Sequence, residues 1–345
     1  MSNLPSGEIP RGAIRFNTDS NRVEVWTGSV WGEMQLSTPN LAQTTEKDLG
    51  VRGVFMGGEN PGKRTDIDII NFASAQDAVD FGDLNTARSA PATLASSTRG
   101  IAAGGEQPTV LNTIEFITIA SQGSATDFGG ILTDAMRRLQ NQGGGNETRG
   151  MILGGFDGTN ATNNTEFITI SSNGTNSVDF GGDLTATTQF GGTCATPTRM
   201  VVGGGFTDPS GSTIVNTMQH VNFTTTGVNF ADFGDLTEAR QAMGAANNAV
   251  RGIWSGGQAP SAVDTIDTMI MATLGNAVEF GSLASTQGAT TSCSSPTRVA
   301  TGGGASTLVT IQYQDIATGS DAVDFGDLHQ GRQFLGACSN GHGGL

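Results

Sequence analysis

An acidic-Phe-Gly triplet is the feature of this chain that most suggests catalysis, because one Asp-Phe-Gly binds the Mg²⁺ of a protein kinase. A kinase uses that triplet once, after a catalytic loop and a glycine-rich loop over the phosphates. Here it recurs in every repeat, with its Phe at Phe81, Phe128, Phe180, Phe233, Phe280 and Phe325. Such a repeated motif is structural. We expect its acid to pair with an arginine or to cap a turn.

A second recurring group is the arginine that opens each repeat, usually within Thr-Arg-Gly. These arginines recur about every fifty residues, at Arg52, Arg99, Arg149, Arg199, Arg251 and Arg298. Each lies between two short apolar strands, which places it at a turn near the inner rim of one face. A ring of like charges needs compensation, and the acids of the triplets are the obvious source. We therefore expect arginine–carboxylate pairs within or between repeats, with an anion-binding ring around the axis as the alternative.

Groups that catalysis needs are scarce. The chain has one tyrosine, Tyr313, whereas a copper oxidase needs tyrosine ligands and a sialidase needs a tyrosine nucleophile. The three histidines, His220, His329 and His342, have no metal-ligand spacing. Among 32 acids, no spacing singles out a carboxylate pair for glycoside hydrolysis. The sequence therefore predicts no enzyme, no catalytic or metal site and no cofactor.

Charge and hydropathy exclude several classes of partner. The net charge is −15, and the only lysines are Lys47 and Lys63. Such a field repels phosphate backbones, so we expect neither nucleic-acid binding nor docking on an anionic membrane. The chain lacks the run of about eighteen apolar residues that crosses a bilayer, so we expect no membrane insertion. The start, MSNLPSGEIPRG, lacks the apolar core of a secretory signal.

The elements that position these residues are short strands. The second repeat shows four: Ala92–Ser96, Gly100–Gly105 with its glycine pair, Asn112–Ala120, and Ala125–Gly129. We name them a to d, with strand a nearest the axis. The glycine pair allows a close backbone approach or a positive φ. A period near fifty with several strands and a glycine pair per unit is typical of β-propeller blades, so the sequence predicts an all-β fold.

The ends of the repeat region predict how the ring closes. The first repeat begins directly at strand b, Val51–Gly58, whereas the last ends on an extra strand a, Phe334–Ser339. Joined together they make one complete blade, which removes the open sheet edges that promote aggregation. We therefore predict a six-bladed kelch-like propeller over residues 51–345, closed by its C-terminal strand.

The cysteines indicate packing. Cys194 and Cys293 occupy equivalent positions in different repeats, and Cys338 falls near the same place in the last unit. Equivalent positions two blades apart are too distant for a disulfide, whose Cα atoms lie within about 7 Å. We expect small buried apolar side chains at all three positions.

A different segment precedes the repeats. Ala13–Asn17 and Arg22–Trp26 alternate at period two, and Val30–Met34 follows a second turn. Residues 1–34 are therefore predicted to form a three-stranded β-meander that serves as a docking module. Residues 35–50 look like a polar linker. The meander is too small to bury its apolar side chains, so we expect it to attach to a partner through Ile14, Phe16, Trp26 and Trp31.

The loops between strands b and c vary most among the repeats. They are rich in Asn, Asp, Thr and Pro, and they share one face of the ring with the connections from strand d to strand a. Variable loops on a rigid ring form a natural recognition surface. The candidate recognition residues are Asn60, Lys63, Arg64, Asp157, Asn160 and Asp208.

Two parts of the chain resemble known families. The repeat resembles the kelch motif in its glycine pair and in a terminal arginine, as in Asp83-Leu84-Asn85-Thr86-Ala87-Arg88. It departs from kelch in having Asp-Phe-Gly where that family carries Trp, and Ile or Phe where it carries Tyr. The segment GAIRFNTDSNRVEVWTGSVWGEM resembles the opening of virion structural proteins of tailed phages, especially those that infect marine cyanobacteria. In such proteins similar Thr-Arg-Gly, Gly-Gly and Asp-Phe-Gly-Asp-Leu repeats often follow.

These resemblances imply a virion structural protein, assembled in the host cytoplasm and located in the particle. A tail fibre, baseplate or tail appendage is the first expectation, and a capsid decoration or head-fibre protein is the alternative. A non-phage kelch-type interaction module is a third. The expected partners are other virion proteins through the N-terminal module, further copies of the chain, and a host surface receptor or glycan on the ring.

Overall fold

The computed structural model describes residues 9–17, 22–33, 51–136, 139–208, 210 and 212–345. The chain divides into two compact units, Met1–Asp48 and Leu49–Leu345. Within the described residues every regular element is a β-strand, so the predicted all-β class is confirmed. The predicted linker, residues 35–50, lies outside the described residues.

The N-terminal unit contains an antiparallel three-stranded sheet, which confirms the predicted meander. Its strands are β1 (Ile14–Asn17), β2 (Arg22–Trp26) and β3 (Trp31–Glu33). Ile14 pairs with Val25, and Trp26 pairs with Trp31.

The second unit contains six four-stranded antiparallel sheets, which are the blades of a propeller. Blade 1 begins with β4 (Arg52–Met56), β5 (Arg64–Asn71) and β6 (Val79–Arg88). Blade 2 comprises β7 (Ala92–Ala95), β8 (Arg99–Ala103), β9 (Thr113–Thr118) and β10 (Thr126–Ile131). Blade 3 comprises β11 (Gly143–Gly145), β12 (Arg149–Leu153), β13 (Thr165–Thr169) and β14 (Val178–Asp179).

The remaining blades repeat this order. Blade 4 comprises β15 (Gly192–Ala195), β16 (Arg199–Gly203), β17 (Thr217–Asn222) and β18 (Ala231–Asp235). Blade 5 comprises β19 (Gly244–Asn247), β20 (Arg251–Ser255), β21 (Thr265–Ile270) and β22 (Val278–Ser282). Blade 6 comprises β23 (Thr291–Ser294), β24 (Arg298–Gly302), β25 (Thr310–Asp315) and β26 (Val323–Asp327). The last strand, β27 (Gly336–Ser339), completes blade 1.

The ring closes through its last strand, as predicted. Gly336 pairs with Met56 and Ser339 pairs with Gly53, so β27 is strand a of the blade that β4 begins. The six a strands contact one another in the cyclic order β27, β7, β11, β15, β19 and β23. Strand b is buried on both faces in every blade because it lies between neighbouring blades, and strand c has both buried and partly exposed positions.

The six hydrophobic clusters of the ring lie at the seams between adjacent blades, and each contains the Phe of one acidic-Phe-Gly triplet. Phe233 of blade 4, for example, packs with Trp254 and Met269 of blade 5. Phe280 is the half-buried member of the set, and the other five are buried. The repeated phenylalanines therefore link each blade to the next.

Truncating Phe233 to alanine should lower the free energy of unfolding by about 3 kcal/mol, the lower end of the range for Phe→Ala in a core. The lower end applies because flexible methionines, Met218, Met243 and Met269, line the same cluster and collapse partly into the gap. Urea unfolding measures the loss. The matched change at half-buried Phe280 should cost clearly less, and equal losses would show that these rings do not hold the seams.

Candidate functional site: the loop face of the propeller

The loop face is the face that carries the six b–c loops and the d–a connections. The two kinds of segment pair through isolated bridges, such as Gln189 with Phe206 and Gln241 with Gln258. The glycine pair at the end of strand b makes this approach possible. Gly57 has φ +64, and a Cβ there would lie 2.6 Å from the carbonyl oxygen of Arg88. The backbone amide of Gly58 donates to the same oxygen.

Two of the candidate recognition residues organise their own loops. Asp157 Oδ1 accepts the backbone amides of Thr159 and Asn160, both at 2.7 Å, and the Asn160 bond is the main reason that the pKa of Asp157 is lowered. Asp208 accepts the Ser210 hydroxyl, which is the largest of the bonds that lower its pKa well below its usual range. These carboxylates fix the loop shape and present neighbouring groups outward.

The three candidates of the first b–c loop lie in a paired network. Lys63 Nζ contacts Glu59 Oε2 at 2.5 Å, and Arg64 Nε contacts Asp66 Oδ2 at 2.8 Å. Asn60 Nδ2 donates to the carbonyl oxygen of Gly331 on the adjacent d–a connection. The positive charges of this loop are therefore partly neutralised within the ring. The loop contributes shape and amide groups to the face.

An aromatic cluster lies at the centre of the loop face, where the sequence analysis placed no candidate. The ring of Phe190 lies 5.4 Å from Phe334, which is on the opposite side of the axis, and 5.7 Å from Phe206. Phe190 and Phe334 are half-buried, whereas Phe206 is buried. The polar b–c loops surround this cluster. An apolar centre with a polar rim is the usual composition of a protein-binding surface.

The same centre is built on six residues in the left-handed region, one before each strand a. They are Ala90, Asn141, Phe190, Ala242, Ala289 and Phe334, with φ between 49° and 61°. Hydrogen bonds join the six segments in a closed belt; Ala90 N donates to Phe334 O, and Phe334 N donates to Ala289 O. Non-glycine residues in this conformation cost about 1 kcal/mol each, and the belt compensates for that cost. It closes the axis at the loop face.

Beneath this face, three buried arginines anchor the d–a connections. Arg88, Arg240 and Arg332 are fully buried and pair with Glu115, Asp267 and Asp68 on strand c of the next blade. In the pair of blade 5, Arg240 Nη2 lies 2.8 Å from Asp267 Oδ2. The same acid accepts the backbone amide of Thr237. Each acid thus binds both the arginine and the chain that leads to it.

Two of the three remaining blades compensate for the missing arginine, whereas blade 3 keeps the acid Glu166. The equivalent position is Leu139 in blade 3, Thr188 in blade 4 and Gln287 in blade 6. Blades 4 and 6 carry neutral Gln219 and Gln312 in place of the acid, and each still accepts a backbone amide of the d–a connection. In five of the six blades, an arginine on the d–a connection therefore occurs with an acid on strand c, and a neutral residue on the d–a connection occurs with a glutamine on strand c. The sequence contained this covariation, but spacing alone did not reveal it.

The arginines that open the repeats mainly contact backbone carbonyl oxygens of the next blade. Arg298 also has a carboxylate partner in its own blade, because its Nε lies 3.8 Å from Asp315 Oδ1, which is not an acid of a triplet. Arg99 Nη1 donates to Ile170 O of the next blade, and Arg298 Nη1 donates to Phe72 O. Arg99 also lies over the ring of Phe116, with Cζ 4.5 Å from its centroid. In blade 1, for example, the acid of the triplet caps its own turn, because Asp80 Oδ1 accepts the backbone amide of Gly82. Backbone carbonyl oxygens at the seams are therefore the shared acceptors of Arg52, Arg99, Arg149, Arg199 and Arg298.

The tail after β27 closes the axis at the opposite face. His342 Nε2 lies 2.9 Å from Ala95 O in blade 2, and Gly343 N donates to Asn247 O in blade 5. Between this plug and the belt, the inner strands line a cavity of about 50 Å³. Ligand pockets typically measure about 300–1,000 Å³. The axial cavity can hold ordered water but no sugar or nucleotide.

The tail makes the fold sensitive to acid through His342. Burial lowers the pKa of this imidazole, and its Nδ1 accepts the amide of Gly344. Below about pH 6.5 the unfolded chain gains a proton here that the folded chain resists, so stability falls as pH decreases. His342→Gln should reduce the drop in melting temperature between pH 7 and pH 5. His329→Gln, at an exposed site, is the control. An unchanged drop in the His342 variant would contradict this role.

The cysteines and potential metal ligands add no reactive centre to the described part of the chain. Burial raises the pKa of Cys194 to about 12 and that of Cys338 to about 12, so both thiols stay protonated. All three cysteines are free and buried. Among the residues that the structure describes, no group of three or more His, Cys, Asp or Glu side chains is arranged to hold a metal ion. The same residues include no helix long and apolar enough to cross a bilayer.

The candidate attachment residues of the meander do not form one surface. Ile14 and Phe16 lie on one face of the sheet and are 65% and 57% exposed. Arg15, between them, points to the other face, where its Cζ lies 4.3 Å from the centroid of Trp31. Trp26 packs against Trp31 there with a 5.5 Å centroid separation. The rings of the two tryptophans partly bury each other, whereas the side chains of Ile14 and Phe16 are exposed to solvent.

Compared with known proteins, the chain matches no protein-family model, and no curated protein is significantly similar to it. The fold is compatible with a kelch-like propeller, since it has six blades with a glycine pair after each strand b.

Proposed function

We propose that this chain is a structural protein of a tailed-phage virion, in a tail fibre, baseplate or tail appendage. The resemblance of residues 12–34 and of the repeats to such virion proteins supports the phage assignment. The observation that carries a structural role is the pairing of a closed, rigid ring with a separate small sheet whose apolar face is exposed. A scaffold of this kind joins one partner and presents a surface to another.

The N-terminal sheet is the attachment module in this proposal. Exposed apolar side chains at the centre of an interface typically carry most of its energy. Ile14 and Phe16 are the anchors, and Val25 lies beside Ile14 on the same face. Other virion proteins, together with further copies of the chain, are the partners that would cover this face in the assembled particle.

The loop face is the recognition surface in this proposal. Its centre is aromatic, its rim is built of polar loops, and its shape is fixed by internal hydrogen bonds. A preorganised surface loses little entropy on binding. The small axial cavity favours a broad surface contact over an enclosed ligand. A host surface protein or glycan is the partner we propose for this face.

Cryo-EM of the intact particle tests the assignment directly, with mass spectrometry of purified particles to establish that the chain is present. We expect density for a six-bladed ring on the tail, with its loop face outward. A ring on the head would instead establish the capsid-decoration alternative. Absence of the chain from purified particles would refute the virion role and leave a cellular interaction module.

Substitutions on the meander identify the attachment face. The double substitution Ile14→Ser/Phe16→Ser should reduce incorporation into particles at least tenfold, because both anchors of the interface are lost. Val30→Ser is the matched control, since Val30 is also exposed in this unit, at 60%. Quantitative immunoblotting of purified particles gives the ratio. Normal incorporation of the double variant would exclude this face.

A further inference from the structure

A groove lies at the seam between blades 4 and 5, on the face opposite the loop face, where the a–b turns and the c–d turn of blade 5 line it. It measures about 500 Å³. The polar side of the groove is formed by Arg199, His220 and Asn222 on neighbouring strands β16 and β17. The apolar side is formed by Pro197, Ala249, Met271 and Ala272.

Blade 4 differs from blades 2 and 3 at this groove. Blades 2 and 3 carry Phe116 and Phe167 on strand c, and the opening arginine stacks over each ring at 4.5 and 4.6 Å. Blade 4 carries His220 at this position. The imidazole lies edge-on to Phe233 with a 5.6 Å centroid separation, and Arg199 Nη1 donates to Met271 O. A smaller, polar ring thus lies in blade 4 where blades 2 and 3 have a phenyl group.

The hydrogen bonding of His220 determines which hydrogen-bond donor the groove presents to a ligand. Nδ1 is buried and has no partner among the described residues. A buried N–H without an acceptor costs more than a buried lone pair, so the neutral tautomer carries its proton on Nε2. Burial, together with the positive charge of Arg199, lowers the pKa of His220, whereas Asp232 opposes that effect. At neutral pH the groove therefore presents an uncharged N–H donor beside one guanidinium.

We propose that this groove binds a small organic carboxylate. One oxygen accepts the His220 Nε2–H, and the guanidinium of Arg199 supplies the single positive charge that a carboxylate needs. The carbon chain rests on Met271 and Pro197. The seam between blades 1 and 2 has a comparable groove with Arg52 but has Ile69 in place of the imidazole, so it lacks the second donor. This proposal is independent of the virion role.

Side-chain NMR of the three histidines in the full chain tests the proposal, with butyrate as the probe. Butyrate should shift the His220 ring signals in a saturable way and leave His329 and His342 unchanged. Butyramide, which has the same shape without the charge, should produce no saturable shift. Inorganic phosphate at matched ionic strength should bind at least tenfold more weakly, because one guanidinium balances a monoanion better than a dianion.

The variant His220→Phe restores the residue type that blades 2 and 3 use, so it should fold normally. In this variant butyrate should no longer shift the backbone amides of Asn222 and Ala272. The site is overturned if butyrate gives no saturable shift, if butyramide shifts His220 equally, or if the amide shifts persist in His220→Phe. Tighter binding of phosphate than of butyrate would overturn the assigned ligand class.

Discussion

Truncation after Leu328 should abolish the closed ring. The truncated chain loses β27, which pairs with β4 from Gly336 to Ser339. It also loses Arg332, so Asp68 remains as a buried acid without its cation. The open edge of β4 then offers unpaired backbone groups to other chains. We expect aggregation in size-exclusion chromatography and loss of the cooperative thermal transition.

Truncation after Ser339 is the control, because it removes only the tail that covers the axis. It keeps β27 and the Arg332–Asp68 pair, so the ring should remain monodisperse with a lowered melting temperature. A soluble, monodisperse protein after truncation at Leu328 would contradict closure by the C-terminal strand.

Arg240→Gln should lower the free energy of unfolding by about 3–5 kcal/mol, the cost of leaving a buried charge without its partner. Arg240 and Asp267 both have fully buried side chains. Arg240 also donates to the carbonyl oxygens of Gly256 and Thr265, which lose that donor. Denaturant unfolding at pH 7 measures the loss.

A second substitution separates the charge from the packing. Asp267→Gln, added to Arg240→Gln, recreates in blade 5 the neutral Gln287/Gln312 combination of blade 6. The new amide oxygen can accept from Thr237 as Gln219 accepts from Thr185. We expect the double variant to recover more than half of the loss. A double variant as unstable as the sum of the two single variants would show that the pair has no coupling and that packing alone matters.

The strands, the number of blades and the closure of the ring could be predicted from the sequence, because a repeated unit shows where each copy begins and ends. Six copies of one strand pattern averaged out the ambiguity of any single short strand, and the unmatched ends, Val51 and Ser339, indicated the closing pair. The triplet Phe was recognisable as a structural position for the same reason, and five of the six are buried. Periodicity is a strong signal for elements and for seams.

The partners of polar side chains could not be predicted from the sequence. A repeat shows that a residue recurs, but it does not show what that residue contacts. The opening arginines were assigned to carboxylates, yet Arg149 and Arg199 donate to carbonyl oxygens at the seams. The left-handed belt has no residue signature, because Ala, Asn and Phe share its position. Phe190 and Phe334 meet only across the axis, so their contact depends on closure of the whole ring.

Deletion of residues 1–45, followed by an incorporation assay, shows whether the N-terminal sheet attaches this chain to the phage particle. The deleted protein keeps the whole second unit, Leu49–Leu345, so it should fold as a propeller. We expect it to be absent from purified phage particles and to lose any self-association that the full chain shows in solution. Incorporation at the level of the full chain would contradict attachment through the N-terminal sheet, because the attachment surface would then lie on the ring.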